Sequence, residues 1–372
     1  MTIIDLHAHP SMKTYFGWAR LARRQTAGPG FNPLGLRTSY GSLVAGGVDL
    51  LGSAVYVPEQ QLKGDCIVFP LIGLFSSHLR KALQRPPDEV AVEMLRHVEQ
   101  QVSQVNAGNP PPARPMTVVR SLAELRAALA AGHLAVVHTI EGAHVLDRKI
   151  ENVRRFRELG VAILTLAHFY DYGVAPPVDG IPNDFFLRKL GCFRWSKDLS
   201  LGLPLFGAEV VEAMFEQGIV VDLTHATPRA RGDVLALPNP RRRPIVMSHV
   251  GVQALMDHPI NPTDDEIRRL AGTGGVIGVI FYSHWLVSKH PRKPDVLANV
   301  VATVDHLVRV GGEESVAFGS DFDGMTDPPD DLKEPARWPA LLAALDQAGY
   351  SPTSIERFTG GNALRVLEAG WS

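Results

Sequence analysis

Short apolar runs that end in polar residues recur along this chain and set its architecture. The first, Ile3 to Leu6, stops at His7-Ala8-His9-Pro10. Asp49 to Val57 follows, then Leu134 to Ile140 ending in Glu141 and Val161 to Ala167 ending in His168. Ile219 to Leu223 runs into Thr224-His225, and Pro244 to Ser248 into His249. Gly275 to Tyr282 and Val316 to Ser320 complete the series, the last ending in Asp321. Continuous apolar runs of this length read as strands buried on both faces. Between them lie segments with helical spacing: Pro87 to Val105, Ser121 to Ala131, Asn152 to Leu159, Leu205 to Gln217, Arg229 to Leu237, Asp264 to Ala271, Leu297 to Val310, Ala336 to Ala348 and Pro352 to Leu367. Ser121-x-x-Glu124 has the spacing of a capping box.

Eight such strands, mostly separated by helices, predict an α/β fold of the (β/α)8 TIM-barrel type, with a doubly wound open sheet as the runner-up. One domain over residues 1–372 is expected. Two irregular Gly/Pro/aromatic-rich stretches, 13–40 and 171–200, read as loop insertions over one end, the first of a kind that often forms a lid. No Gly-x-Gly-x-x-Gly follows a strand, and Gly272-Thr273-Gly274-Gly275 precedes one, so a dinucleotide site is not expected.

Composition narrows the function without naming it. With 372 residues, 45% hydrophobic and 20% charged, the chain can bury a large core. A net charge of −2 and dispersed basic residues give no nucleic-acid surface, and Arg241-Arg242-Arg243 reads as a solvated loop between prolines. No apolar stretch has membrane length and the start shows no leader pattern, so no membrane partner and a cytoplasmic location are expected. The two cysteines, Cys66 and Cys192, carry no Cys-x-x-Cys spacing and read as ordinary thiols.

The polar strand ends carry the chemistry. His7 and His9 alternate onto one face of the first strand and can grip one metal ion, although a lone His-x-His also arises by chance or as a hydrogen-bonded pair. Glu141 could cap a helix, His168 could be a core histidine and Asp321 could belong to a turn. Jointly these readings weaken: His7, His9, Glu141, His168, His225, His249 and Asp321 are seven metal-type residues at six strand ends, which in a barrel converge on one mouth. Imidazole and carboxylate donors without thiolate suit zinc and similar divalent ions in an open site. There are too many donors for one ion, so two are expected, with a carboxylate such as Glu141 bridging and a shared hydroxide as nucleophile. Asp321 is placed to carry the proton to the leaving group, and His168 to polarise the scissile carbonyl. The expected reaction is metal-assisted hydrolysis of an amide-like bond in a small molecule. A catalytically idle barrel is the reading from another class.

Ile140-Glu141-Gly142-Ala143, Leu164 to His168, Val221 to His225, Met247-Ser248-His249, Gly319 to Gly324 and Gly360 to Val366 together resemble the membrane dipeptidase (renal dipeptidase) family of the amidohydrolase superfamily. The resemblance implies a (β/α)8 barrel with two zinc ions, bridged by the residue at Glu141. His225 and His249 would bind one ion and the first strand the other, with His168 on the substrate carbonyl and Asp321 in proton transfer. It also implies a dipeptide substrate and a homodimer.

Two positions depart from the family. Its first strand usually carries His-x-Asp, whereas His7-x-His9 stands here, which makes the site one charge more positive and should lower the pKa of the bridging water. The family's arginine for the substrate carboxylate, about eleven residues after the second metal histidine, is missing from Asp257-His258-Pro259-Ile260-Asn261. Arg188, Arg194 or Lys189 could substitute, and the aromatic stretch Phe169-Tyr170-Asp171-Tyr172 and Tyr282 could shape a different pocket. A non-dipeptide amide, ester or N-acyl substrate is therefore the alternative.

Overall fold

The computed structural model describes residues 1–22, 35–66, 68–181, 186–193, 197–287, 296–324 and 329–372. Among them nine strands form one sheet: β1 (Ile4–Ala8), β2 (Leu50–Tyr56), β3 (Met116–Val119), β4 (Leu134–Glu141), β5 (Val161–Thr165), β6 (Val220–Asp222), β7 (Ile245–Val250), β8 (Ile277–Val279) and β9 (Val316–Phe318). Eight run parallel in the order β1-β2-β4-β5-β6-β7-β8-β9. Backbone hydrogen bonds from Asp321 N to His7 O (2.9 Å) and from His9 N to Phe322 O (2.8 Å) tie the chain after β9 to β1. The barrel is thereby nearly closed, as the strand and helix rhythm predicts.

The ninth strand is a finding. β3 pairs with Leu134 to Val137 of β4, and β5 takes over that edge only from His138 onward. Four residues after a Pro/Arg-rich segment are too few to signal a strand by pattern. β1 and β6 each also carry a buried aspartate, Asp5 and Asp222, inside runs that look apolar. Their hydrogen bonds explain how a carboxylate survives there, as described below.

Register decides what the mouth holds. Tyr56 of β2 stands level with Glu141 of β4, Glu141 with Thr165 of β5, and Thr165 with Asp222 of β6. One rung therefore carries four polar strand ends. A helix at Pro10–Tyr15 follows β1 directly, with proline at its first position, where the missing N–H costs nothing. Ser121 caps the helix Leu122–Ala130 by accepting from Glu124 N (3.2 Å), but the Glu124 carboxylate reaches Arg120 N instead of closing the box. The complete capping box is Thr263 with Glu266, at the start of Asp264–Gly272.

The insertions are partly described. In the first, Lys13 Nζ reaches Asp323 Oδ1 at 2.8 Å, and the same carboxylate accepts from Arg37 N, Thr38 N and Thr38 Oγ1. This fastens residues 37–38 to the loop after β9; residues 23–34, the middle of the expected lid, lie outside the described residues. The cysteine reading is corrected: Cys66, after β2, and Cys192, in the second insertion, form a disulfide with Cα atoms 4.4 Å apart. They are 126 residues apart in sequence, so no local spacing could announce the pair. Among the described residues no helix is long and apolar enough to cross a membrane.

Candidate metal centre

Seven strand-end residues meet at the barrel mouth. His7 lies within β1, His9 just beyond it, Glu141 at the tip of β4 and His249 within β7. His168, His225 and Asp321 each stand three residues past their strands. His225 and Asp321 turn inward through left-handed backbone, at φ 69° and 57°. Non-glycine residues rarely adopt this conformation, and where they do it often marks a functional site. Gly142 follows Glu141 at φ 93°, and a Cβ there would meet the His144 ring at 2.6 Å. Only glycine lets the chain leave the mouth beside Glu141.

Glu141 sits at the centre. Its Oε1 lies 3.1 Å from His225 Nε2, 3.3 Å from His249 Nε2 and 3.5 Å from His7 Nε2. Its Oε2 lies 3.3 Å from His9 Nε2 and 3.5 Å from His168 Nε2. The Nε2 atoms of His7 and His9 are 3.1 Å apart, and those of His225 and His249 are 3.2 Å apart. Two donor sets result, His7/His9/Glu141 and Glu141/His225/His249, each with ligand atoms close enough to hold a metal ion. All five residues are buried. Paired imidazole nitrogens facing a shared carboxylate are the donor chemistry of a divalent ion of the zinc type.

The electrostatics follow from burial and neighbours. Burial raises the Glu141 pKa, but the His168 and His9 charges and the hydrogen bonds from His225 and His249 pull it well below the usual carboxylate range. His225 is pushed down to about 4, chiefly by burial, which keeps the imidazole neutral as a ligand requires. Asp321, whose Oδ1 lies 3.3 Å from His9 Nε2, is raised by burial but ends below its ordinary value because of the His9 hydrogen bond and the His249 charge. Burial works against protonated His168, yet the Glu141 and Glu59 carboxylates outweigh it and lift its pKa.

Glu59 is a residue the sequence reading missed. It sits 1% exposed in the loop after β2 and accepts from Tyr56 Oη (2.6 Å), Phe169 N (3.0 Å) and Tyr170 N (3.1 Å), with His168 Nδ1 at 3.5 Å. It therefore holds the turn that presents His168. Its carboxyl is raised by burial and lowered more by His168, His144 and Tyr56. Trp285 was missed too: its indole is stacked on His249 at 6.1 Å and edge-on to His225 at 5.6 Å. Neither ends an apolar run, so strand-end logic passes over both.

Tyr282 packs edge-on against Trp285 (5.8 Å), one ring away from His225 and His249. Phe169 lies against His168, ring centroids 3.8 Å apart. Arg188 is drawn to another partner within the insertion: its Nη2 contacts both Asp179 oxygens at 2.7 and 2.6 Å and Ile181 O at 2.8 Å. Arg188 is thereby held within the second insertion, its Nη1 donating to Phe193 O. Arg194 lies outside the described residues. In the stretch lacking the family's arginine, buried Asn261 accepts from Gly251 N and donates to Trp285 O (2.8 Å), while Arg231 donates to Pro259 O (2.8 Å).

A family model described as membrane dipeptidase, peptidase family M19, matches residues 1–370. An uncharacterized dipeptidase of Schizosaccharomyces pombe is 30% identical over 63% of this chain and 53% of its own length. The dipeptidase tcpJ of Claviceps purpurea is 31% identical over 63% of this chain and 51% of its own. The chain thus aligns with about half the length of these relatives. A metallopeptidase from Rhodobacter sphaeroides, solved with a phosphinate mimic of the dipeptide L-Ala-D-Ala, superposes with a TM-score of 0.76 at 21% identity, covering 100% of this chain and 99% of that one. At that identity it shows the shared fold.

Proposed function

The chain belongs to the membrane dipeptidase family, peptidase family M19, and from that membership we propose that it is a two-metal, zinc-type hydrolase of small amide bonds, nominally a dipeptidase. The observation that carries the reading is Glu141, a buried carboxylate flanked by two histidine pairs. His7, His9 and Glu141 would hold one ion, and Glu141, His225 and His249 the other. When bound, such ions supply Lewis acidity and bring the pKa of water toward neutrality.

The remaining steps belong to the chain. Asp321, kept ionised beside His9, is placed to take the proton of the attacking water and deliver it to the leaving nitrogen. His168, favoured in its protonated form and held from behind by Glu59, donates to the carbonyl oxygen as negative charge develops there. Phe169 packs against His168 and Trp285 against His249, which restrains both rings.

A second reading keeps the chemistry and changes the substrate. Asn261 and the Arg231-bound carbonyls fill the stretch where the family's arginine would stand, and Arg188 is paired with Asp179. These favour a small N-acyl or other amide substrate whose recognition does not depend on that arginine.

The test is a panel of L,L and L,D dipeptides beside N-acyl amino amides, which lack the free carboxylate, assayed with metal content. Two divalent ions per chain and turnover of a panel member are expected, with Glu141→Gln losing metal and at least roughly a thousandfold in kcat. Fewer than one ion per chain at neutral pH would overturn the metal reading. Two ions with turnover of N-acyl substrates alone would select the second reading.

A further inference from the structure

The four histidines of the two donor sets are not held alike. Each presents Nε2 to the centre, so the role of Nδ1 depends on what lies behind the ring. Behind His249, Ser248 Oγ lies 2.8 Å from Nδ1, and the same oxygen lies 3.4 Å from His7 Nδ1. Behind His9 and His225, Nδ1 is buried without a hydrogen-bond partner. Each donor set therefore contains one histidine backed by Ser248 and one backed by nothing polar. His7 and His249 also stack on one another, ring centroids 3.9 Å apart, which lets one hydroxyl reach both.

The hydroxyl's own proton is committed elsewhere. Ser248 Oγ donates to Asp222 Oδ2 at 2.6 Å. Asp222 lies near His7 and His249 and could be taken for a third ligand. Its oxygens are already used: Oδ1 accepts from Thr224 N, Thr224 Oγ1 and Ser248 N, and Oδ2 from Thr165 Oγ1 and Ser248 Oγ. Five donors saturate a carboxylate with about four lone-pair positions. Asp222 thus acts as an anchor that fixes the direction of the Ser248 O–H, and both lone pairs of Ser248 are left to accept.

We propose that Ser248 is a positioning residue shared by both metal sites, accepting Nδ1–H from His7 and His249 together and so presenting both Nε2 lone pairs to the ions. One donated and two accepted hydrogen bonds use the full capacity of a hydroxyl. A histidine whose Nδ1–H is engaged in this way has its tautomer and ring orientation set before metal arrives, and losing such a partner typically costs 10- to 100-fold in metal affinity. A comparable pair, Asp5 of β1 and Ser320 just after β9, shows what is special here. Ser320 Oγ donates to Asp5 Oδ2 at 2.6 Å but accepts from Phe322 N and from no histidine.

The inference rests on the two-metal reading, and the experiment separates the two. Zinc affinities of both steps are measured by chelator competition for wild type, Ser248→Ala and Thr165→Val. Ser248→Ala should weaken both steps by roughly 10- to 100-fold. Thr165→Val removes the other hydroxyl on Asp222 Oδ2 without touching a histidine, and should leave both within threefold. A Ser248→Ala variant with either step unmoved, or a Thr165→Val variant weakened as much, overturns the shared role. Wild type binding fewer than one ion overturns the metal centre itself. Should Ser248→Ala not fold, nitrogen NMR of metal-free wild type still decides: His7 and His249 should show Nδ1–H, and Nε2–H on either overturns the proposal.

Discussion

Replacing Glu59 by glutamine tests how His168, the residue proposed to act on the substrate carbonyl, is held. The amide is nearly isosteric, and its oxygen can keep the hydrogen bonds from Phe169 N and Tyr170 N at 3.0 and 3.1 Å. The NH2 group then replaces Oε2, which accepts from Tyr56 Oη at 2.6 Å and faces His168 Nδ1 at 3.5 Å. The tyrosine hydroxyl can reverse and accept, but a protonated imidazole nitrogen cannot. His168 therefore loses a charged acceptor, worth about 1.5–3 kcal/mol, in a site buried from water. We expect about 2–3 kcal/mol off the transition state, roughly 30- to 150-fold in kcat/KM, carried mostly by kcat. Metal content should not change, because Glu59 contacts no member of the two donor sets. The assay pairs steady-state kinetics on the best panel substrate with metal analysis and a urea titration. A Glu59→Gln enzyme within threefold of wild type in kcat/KM, folded and fully loaded, would refute the idea that His168 acts through this carboxylate.

Three further outcomes follow from the fold. Arg231 is 1% exposed and its Nε and Nη2 meet both Glu266 oxygens at 2.6 and 3.1 Å, so Arg231→Met strands a buried carboxylate and should cost about 3–5 kcal/mol in urea, and a loss below about 1 kcal/mol would contradict it. Glu99 is held down to about 2, first by the hydrogen bond from His138 and also by Arg120, against burial. Its folded pKa lies below the unfolded value, so its contribution is complete above about pH 4.5 and fades as pH falls toward 2. Because the side chain is about a third exposed, Glu99→Gln should cost only about 1 kcal/mol at pH 7, and a difference that persists unchanged at pH 3 would be wrong. The Cys66–Cys192 link closes a loop of 126 residues, for which chain entropy sets a ceiling near 5 kcal/mol; reduction should lower Tm, and thiol titration of unreduced protein should find no free thiol.

The sequence by itself determined the barrel and which residues face its mouth. Apolar runs ending in His7, Glu141, His168, His249 and Asp321 are legible because a parallel strand buried on both faces leaves polar residues only at its tip. Donor types alone offered Glu141 as a carboxylate able to bridge two ions, and the structure brings it between the two histidine pairs. What pattern could not show is every relation that crosses the chain. Cys66 and Cys192 pair over 126 residues. Glu59 meets His168 from 109 residues away. Ser248 and His7 are separated by 241 residues, and only the register that levels Asp222 with its neighbours sets one hydroxyl behind two histidines of the donor sets. Periodicity reports which face a side chain takes along its own strand. The partner it meets there is fixed by closing the sheet, and that belongs to the tertiary structure alone.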